Sequence, residues 1–191
     1  YFNHQDLEAK VIGLFKNGEK VDVIDDEGEV VFDRTHFYAT SGGQVADTGI
    51  IENENCSMEV VDVNKSVHKQ HMHSVKVQFG EVKVGDVFTL KIDANRRRKI
   101  ERNHSSAHLL QKALQEVLGS HVHQEGSFVS DTMVRFDFAH FEKMTAVQLR
   151  QVEKLVNELN SVICVMGCAS VTTLIQSLKD FIDKVKVEEN V

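Results

Sequence analysis

The stretch from Val87 to Leu110, VFTLKIDANRRRKIERNHSSAHLL, decides the fold class. Its first residues alternate: Phe88, Leu90 and Ile92 are apolar while Thr89 and Lys91 are polar, the period of a half-buried strand. At Asn95 the texture changes. From His104 to Leu118, Ala107, Leu110, Leu114 and Val117 recur at helical spacing, and Gly119 supplies the C-terminal stop. A chain that passes from strands to helices in this way belongs to the α+β class.

Working back toward the N-terminus, VDVI at 21–24 and EVVF at 29–32 flank Asp25-Asp26-Glu27-Gly28, which predicts a hairpin. MEVVDV at 58–63 and VKVQF at 75–79 read as further short strands, punctuated by Gly80 and Gly85. Residues 1–94 are therefore expected to form a small β-barrel-like part or a strongly curved sheet. Working forward, VRFDF at 134–138 alternates as a strand, and Thr145 with Gln148 forms a capping-box pattern. Val152, Leu155, Val156 and Leu159 then give a helix one apolar face. Residues 95–160 are expected to be an α+β part with helices laid on one face of a sheet. A last helix is predicted from about Thr173, within a C-terminal segment 161–191.

Composition bounds the function classes. The 191 residues are 41% hydrophobic and 27% charged, ordinary globular values that exclude disorder and fibrous repeats. No apolar run approaches the roughly 18 residues of a membrane span, and the polar start YFNHQDLE is no signal peptide. Three cysteines, Cys56, Cys164 and Cys168, make no disulfide framework, which points to a reducing, cytoplasmic compartment. The chain begins with Tyr rather than Met, which reads as an excised fragment. Its net charge of −7 argues against a generally basic nucleic-acid binder. The local exception is RRRKIER at 96–102, five basic residues against one glutamate: a solvated cluster on one reading, phosphate contacts from Arg96, Arg97, Arg98 and Lys99 on the other.

Two stretches carry chemistry. His104-Ser-Ser-Ala-His108 places two imidazoles on one face of a helix, beside the apolar stripe rather than within it. The pair reads as surface histidines or as two ligands of a zinc ion; HExxH it is not, so no metalloprotease base is present. Cys164 and Cys168 have CxxxC spacing that could add thiolates, or are two small buried residues. His68, His71 and His73 crowd an expected loop, His121 and His123 alternate along an extended segment, and His140 follows VRFDF. The second stretch, FDRTHFYATSGGQVADTG at 32–49, sets Gly42-Gly43, where a ligand can approach the main chain, among Thr35, Thr40, Ser41, Gln44 and Asp47. Alone it is a polar turn.

Together, FDRTHFYATSGGQVADTG, NHSSAHLL, HVHQEGSFV and VRFDFAHF resemble, in the same order, the editing region of alanyl-tRNA synthetase over roughly residues 1–160. Free-standing trans-editing proteins share these motifs, but the SGGQVADTG wording is similar to the synthetase branch. The resemblance implies hydrolysis of serine or glycine wrongly esterified to tRNA(Ala), with zinc bound by an HxxxH pair and a later CxxxH. His104 and His108 match the first pair, and Gln124 matches a glutamine that lines the editing pocket. Gln124 and Thr40 are accordingly expected at the substrate, with Gly42, Gly43 and the basic cluster against the tRNA acceptor end. No side chain is an obvious nucleophile paired with a base, which points to direct attack by water.

The family often has Thr where this chain has Ala107, and its CxxxH does not appear: Thr172, not His, stands four residues after Cys168. The sequence departs from the family after Asn160: either the second ligand pair is lost or segments are joined there, and where the CxxxH is absent weak or partial zinc occupancy is expected. The resemblance further implies the rest of a parent synthetase as partner, with the ATP-using aminoacylation core outside these residues, and no membrane. Two other readings stand beside it: a free-standing deacylase, and a non-catalytic tRNA-binding module with structural zinc.

Overall fold

The computed structural model describes residues 5–165, with side chains through residue 158. The last predicted helix from Thr173, Cys168 and the side chain of Cys164 lie outside the described residues. The chain divides into two compact units, Tyr1–Arg97 and Arg98–Val191.

The first unit is a closed six-stranded barrel with one strand appended and a separate two-stranded ladder. Its strands are β1 (Leu7–Lys16), β2 (Glu19–Val21), β3 (Val23–Ile24), β4 (Glu27–Phe32), β5 (Gly49–Glu52), β6 (Ser57–Lys65), β7 (His71–Phe79), β8 (Val82–Lys83) and β9 (Val87–Ile92). Six strands hydrogen-bond in the order β1-β4-β7-β6-β5-β9, and β9 returns to β1. β1 closes the ring because it serves two neighbours in turn: Leu7–Lys10 pair with β9, and Val11–Phe15 pair with β4.

Bulges make the curvature possible and rephase the side chains. In β1 the register shifts between Val11 and Gly13, so Ile12 is the extra residue. The inward positions accordingly run Ala9, Val11, Leu14, a step of three where an unbroken strand steps by two. β6 repeats the device between Val60 and Asp62, with inward Met58, Val60 and Val63. Ile12 and Val61 are consequently among the exposed large hydrophobics. Phe32, Phe88, Leu90, Ile51 and Val75 complete the apolar interior.

The hairpin expected across Asp25–Gly28 is not there. Val23–Ile24 pairs with β8, whereas β4 pairs with β1 and β7. The first hairpin turns instead at Asn17-Gly18, with φ of 54° and 82°, joining β1 to β2. Asn-Gly is the dipeptide that a two-residue turn with both φ positive demands. His71 and His73 are also strand residues of β7, and only His68 occupies the connecting turn.

The second unit is mixed α+β. Helix α1 (Ala94–Leu118) starts ten residues before the predicted His104, because the Asp93 carboxylate accepts the Arg96 amide at 2.9 Å as an N-cap. β10 (Gln124–Val129) and β11 (Val134–Phe138) form an antiparallel hairpin, and α2 (Ala146–Val165) follows. The Thr145–Gln148 capping box forms: the Gln148 side chain accepts the Thr145 amide at 2.8 Å, and Thr145 Oγ1 accepts the Gln148 amide. α2 continues without a break over Asn160 and Ser161. Leu110, Ala113 and Leu114 of α1, Phe136 of β11, and Val152 and Val156 of α2 share one core.

Barrel closure leaves no room at Gly49. A Cβ there would lie 2.1 Å from the Lys91 carbonyl oxygen on β9, and backbone cannot step aside. Gly49→Ala should destabilise the fold by about 3 kcal/mol in urea titration. Gly42→Ala meets nothing within 4 Å and carries only the cost of φ +58°, about 1 kcal/mol. Equal effects would contradict this account of closure.

Candidate functional site

The glycine-bearing loop between β4 and β5 is a built structure. Ser41 and Gln44 exchange backbone hydrogen bonds of 3.0 and 3.2 Å around Gly42-Gly43, whose φ values are 58° and 80°. That is a miniature hairpin, and its tip needs glycine because both residues sit in the left-handed region. Tyr38 Oη donates to the Ser41 carbonyl at 3.0 Å, and the Thr40 amide donates to Val63 of β6 at 2.9 Å. Thr40 and Gly42 are exposed, while the Gln44 residue is buried.

Arg97 holds this loop. Its guanidinium is fully buried and grips the Asp47 carboxylate with two donors: Nε to Oδ1 at 2.7 Å, and Nη2 to Oδ2. Nη2 also donates to the His36 carbonyl at 2.9 Å, and the Tyr38 amide donates to Asp47 Oδ2 at 2.6 Å. Both loop ends are thus tied to the first turn of α1. Arg96 adds a 2.7 Å hydrogen bond to the Ala46 carbonyl. The expected phosphate role of Arg97 is therefore corrected: the residue is enclosed in an ion pair, where no phosphate reaches it. Arg98 and Lys99 are exposed, and Arg96 is half-buried.

Beneath the same loop lies His73, buried on β7 where a loop is expected from the sequence. His73 Nδ1 donates to the Val30 carbonyl at 3.0 Å, so in the neutral ring Nε2 accepts from Thr35 Oγ1 at 2.9 Å. Thr35 Oγ1 in turn accepts the Phe37 amide at 3.1 Å. Burial disfavours the imidazolium and lowers the His73 pKa to about 4. Burial also lowers His36 and His71 below their ordinary value.

In the second unit, α1 brings His104 and His108 together, with ring centroids 5.1 Å apart and planes at 49°. His104 is half-buried and His108 exposed. Burial, and then the neighbouring His108, depress the His104 pKa, which keeps its ring in the neutral form that can ligate a metal. Among the described residues no group of three or more His, Cys, Asp or Glu side chains converges as a metal site. The pair thus offers two positions of a four-ligand zinc shell. Gln124 opens β10, exposed, with Nε2 donating to Ser127 Oγ at 3.0 Å. Its position pairs with Phe138 on β11. Nearby, His121 Nε2 and His140 Nδ1 share a 2.9 Å hydrogen bond, a pairing that nothing in the sequence spacing announces. Thr40 belongs to the first unit and Gln124 to the second.

A family model described as "tRNA synthetases class II (A)" matches residues 1–96. The chain is 49% identical over 148 residues to the alanine–tRNA ligase of Staphylococcus aureus strain bovine RF122 / ET3-1, covering 76% of this chain and 17% of that protein. The alanine–tRNA ligases of strains JH9 and N315 match with the same identity and coverage. The chain belongs to the class II (A) tRNA synthetases, within the alanyl-tRNA synthetase family. It spans 17% of the length of the curated relatives it matches. No helix among the described residues is long and apolar enough to cross a membrane.

The buried His73 makes stability pH-dependent. Its folded pKa of about 4 lies below the ordinary 6.5, so the unfolded chain takes up the proton first. The His73 contribution is fully present above about pH 6.5 and is lost as pH falls toward about 4, about 3 kcal/mol in all. Urea midpoints should drop between pH 7.5 and pH 5, and the His73 ring protons should titrate well below 6. A His73 that titrates near 6.5 would contradict the buried neutral assignment.

Proposed function

We propose that this chain supplies the editing hydrolysis of an alanyl-tRNA synthetase, releasing serine or glycine wrongly esterified to tRNA(Ala). The observation that carries the reading is the His104–His108 pair on α1, in a chain of the alanyl-tRNA synthetase family that also bears the SGGQVADTG loop. The need for such a step is physical. A pocket for alanine cannot exclude glycine, and it rejects one added hydroxyl only weakly.

Water attacks the ester carbonyl carbon, and the bond to the ribose oxygen breaks, giving the free amino acid and intact tRNA. Zinc bound to His104 and His108 would supply positive charge to polarise the ester or activate water; the two imidazoles fit half of its ligand shell. Gln124 suits the serine side chain. Its amide nitrogen is engaged by Ser127, and its carbonyl oxygen can accept from the substrate hydroxyl. In the first unit the exposed Thr40 and Gly42, the adjoining Gly43, and the exposed Arg98 and Lys99 at the start of the second, suit contacts to the RNA backbone. Arg97 acts through Asp47, shaping the loop rather than touching RNA. The partners are then the acceptor end of tRNA(Ala) and the remainder of the synthetase, in the cytoplasm where tRNA is charged.

The test is release of serine from Ser-tRNA(Ala) with zinc supplied. Wild type should release serine faster than it releases alanine from Ala-tRNA(Ala). Gln124→Ala should slow serine release about tenfold or more, since a hydroxyl left unpaired costs about 1–3 kcal/mol, with tRNA binding unchanged. A wild-type chain that binds Ser-tRNA(Ala) and releases nothing is a binding module, and the proposal fails.

A further inference from the structure

Three rings, His121, His140 and Phe141, cluster at the end of the β10–β11 hairpin. Phe141 is 87% exposed, yet its ring is held in place. It stacks on His121 with centroids 4.6 Å apart and planes at 25°. His121 is in turn joined edge to edge with His140: their planes lie within 20°, their centroids are 5.1 Å apart, and a 2.9 Å hydrogen bond links Nε2 of one to Nδ1 of the other. One face of Phe141 therefore rests on a ring that is itself fixed by a hydrogen bond, with His140 6.2 Å away at a tilt of 45°, and its other face is open.

A lone, flat and pre-ordered aromatic face suits a flat partner. An aliphatic side chain or a helix face needs a groove to fill, and Phe141 is instead followed by the exposed, charged Glu142 and Lys143. Proteins that hold single-stranded nucleic acid use such rings, because every base offers a π-face to stack on. The location narrows the choice. Gln124 pairs with Phe138, and the Ala139 amide donates to the His123 carbonyl at 3.4 Å, so the rings hang from the end of the hairpin that carries Gln124. In aminoacyl-tRNA the amino acid is esterified to the ribose of the terminal adenosine, one sugar away from its adenine.

We infer that the exposed face of Phe141 is the stacking platform for the adenine of the nucleotide bearing the ester, next to the amino acid at Gln124. This inference rests on the tRNA reading proposed above. The platform explains why so large an apolar ring is left in water and yet ordered: stacking removes one face of a ring that is already immobile, so little conformational freedom is lost on binding.

The probe is a tRNA(Ala) acceptor-stem minihelix, not aminoacylated, with 2-aminopurine in place of its terminal adenine. On the full chain its fluorescence should be quenched, as stacked 2-aminopurine is. Phe141→Leu should abolish the quenching and weaken binding about tenfold, and Phe141→Tyr should retain both. Because Phe141 is exposed, thermal melting should show both variants folded as wild type. Binding without quenching, or Phe141→Leu indistinguishable from wild type, overturns the platform and leaves the tRNA reading standing. No binding of the minihelix by wild type at any salt concentration overturns both.

Discussion

The buried pair between Arg97 and Asp47 is the constraint on which the first unit's functional surface depends. A guanidinium and a carboxylate withdrawn from water lose several kcal/mol of hydration each, and only well-formed hydrogen bonds recover it. Here every principal partner is in place: two contacts within the pair, the His36 carbonyl on the arginine, and the Tyr38 amide on the aspartate. Removing either side chain would strand the other charge, at a cost of about 3–5 kcal/mol. The pair stabilises little relative to an apolar substitute, but it selects one conformation. It draws residues 36, 38 and 47 to a single point, and the Ser41–Gln44 turn with its two glycines is the consequence.

A loop of sixteen residues between strands would otherwise have many shapes. Closure of the barrel supplies the rest of the frame. β1 reaches both β4 and β9 only because a bulge at Ile12 bends it, and Asp93, directly after β9, caps α1 so that Arg97 falls in its first turn. His73, hydrogen-bonded to Val30 and Thr35, fixes the start of the loop from below. The neutral ring is suited to that role, since an imidazolium there would face burial without a counter-charge.

How much of this was legible in the sequence follows from the range of each interaction. The strands at Val87–Ile92 and Val134–Phe138, the Thr145 capping box and the Gly119 stop are local signals, and each formed as read. The Asn17-Gly18 turn is equally local and carries a stronger hairpin signature than the acidic Asp25–Gly28 segment, whose flanking strands find other partners. The start of α1 was obscured because Arg96 to Arg102 shows no apolar stripe, and the Asp93 cap outweighs that. Arg97 could not be told from Arg98 by composition: one is enclosed and one exposed, because of a partner fifty residues away. The His121–His140 pairing is similarly non-local. By contrast the His104–His108 pair was readable, since four residues on a helix fix the approach without any tertiary help.

The most direct test of this dependence is amide hydrogen exchange in Arg97→Met beside wild type at pH 7. The amides of Thr40, Ser41, Gln44 and Asp47 are all hydrogen-bonded within or beneath the loop. If the buried pair holds the loop, these four should lose about a hundredfold or more of their protection in the variant. The barrel amides of Val60, Val75 and Leu90 should keep theirs. Loop amides that exchange in Arg97→Met as slowly as in wild type would show that the turn stands without the ion pair, contradicting the account.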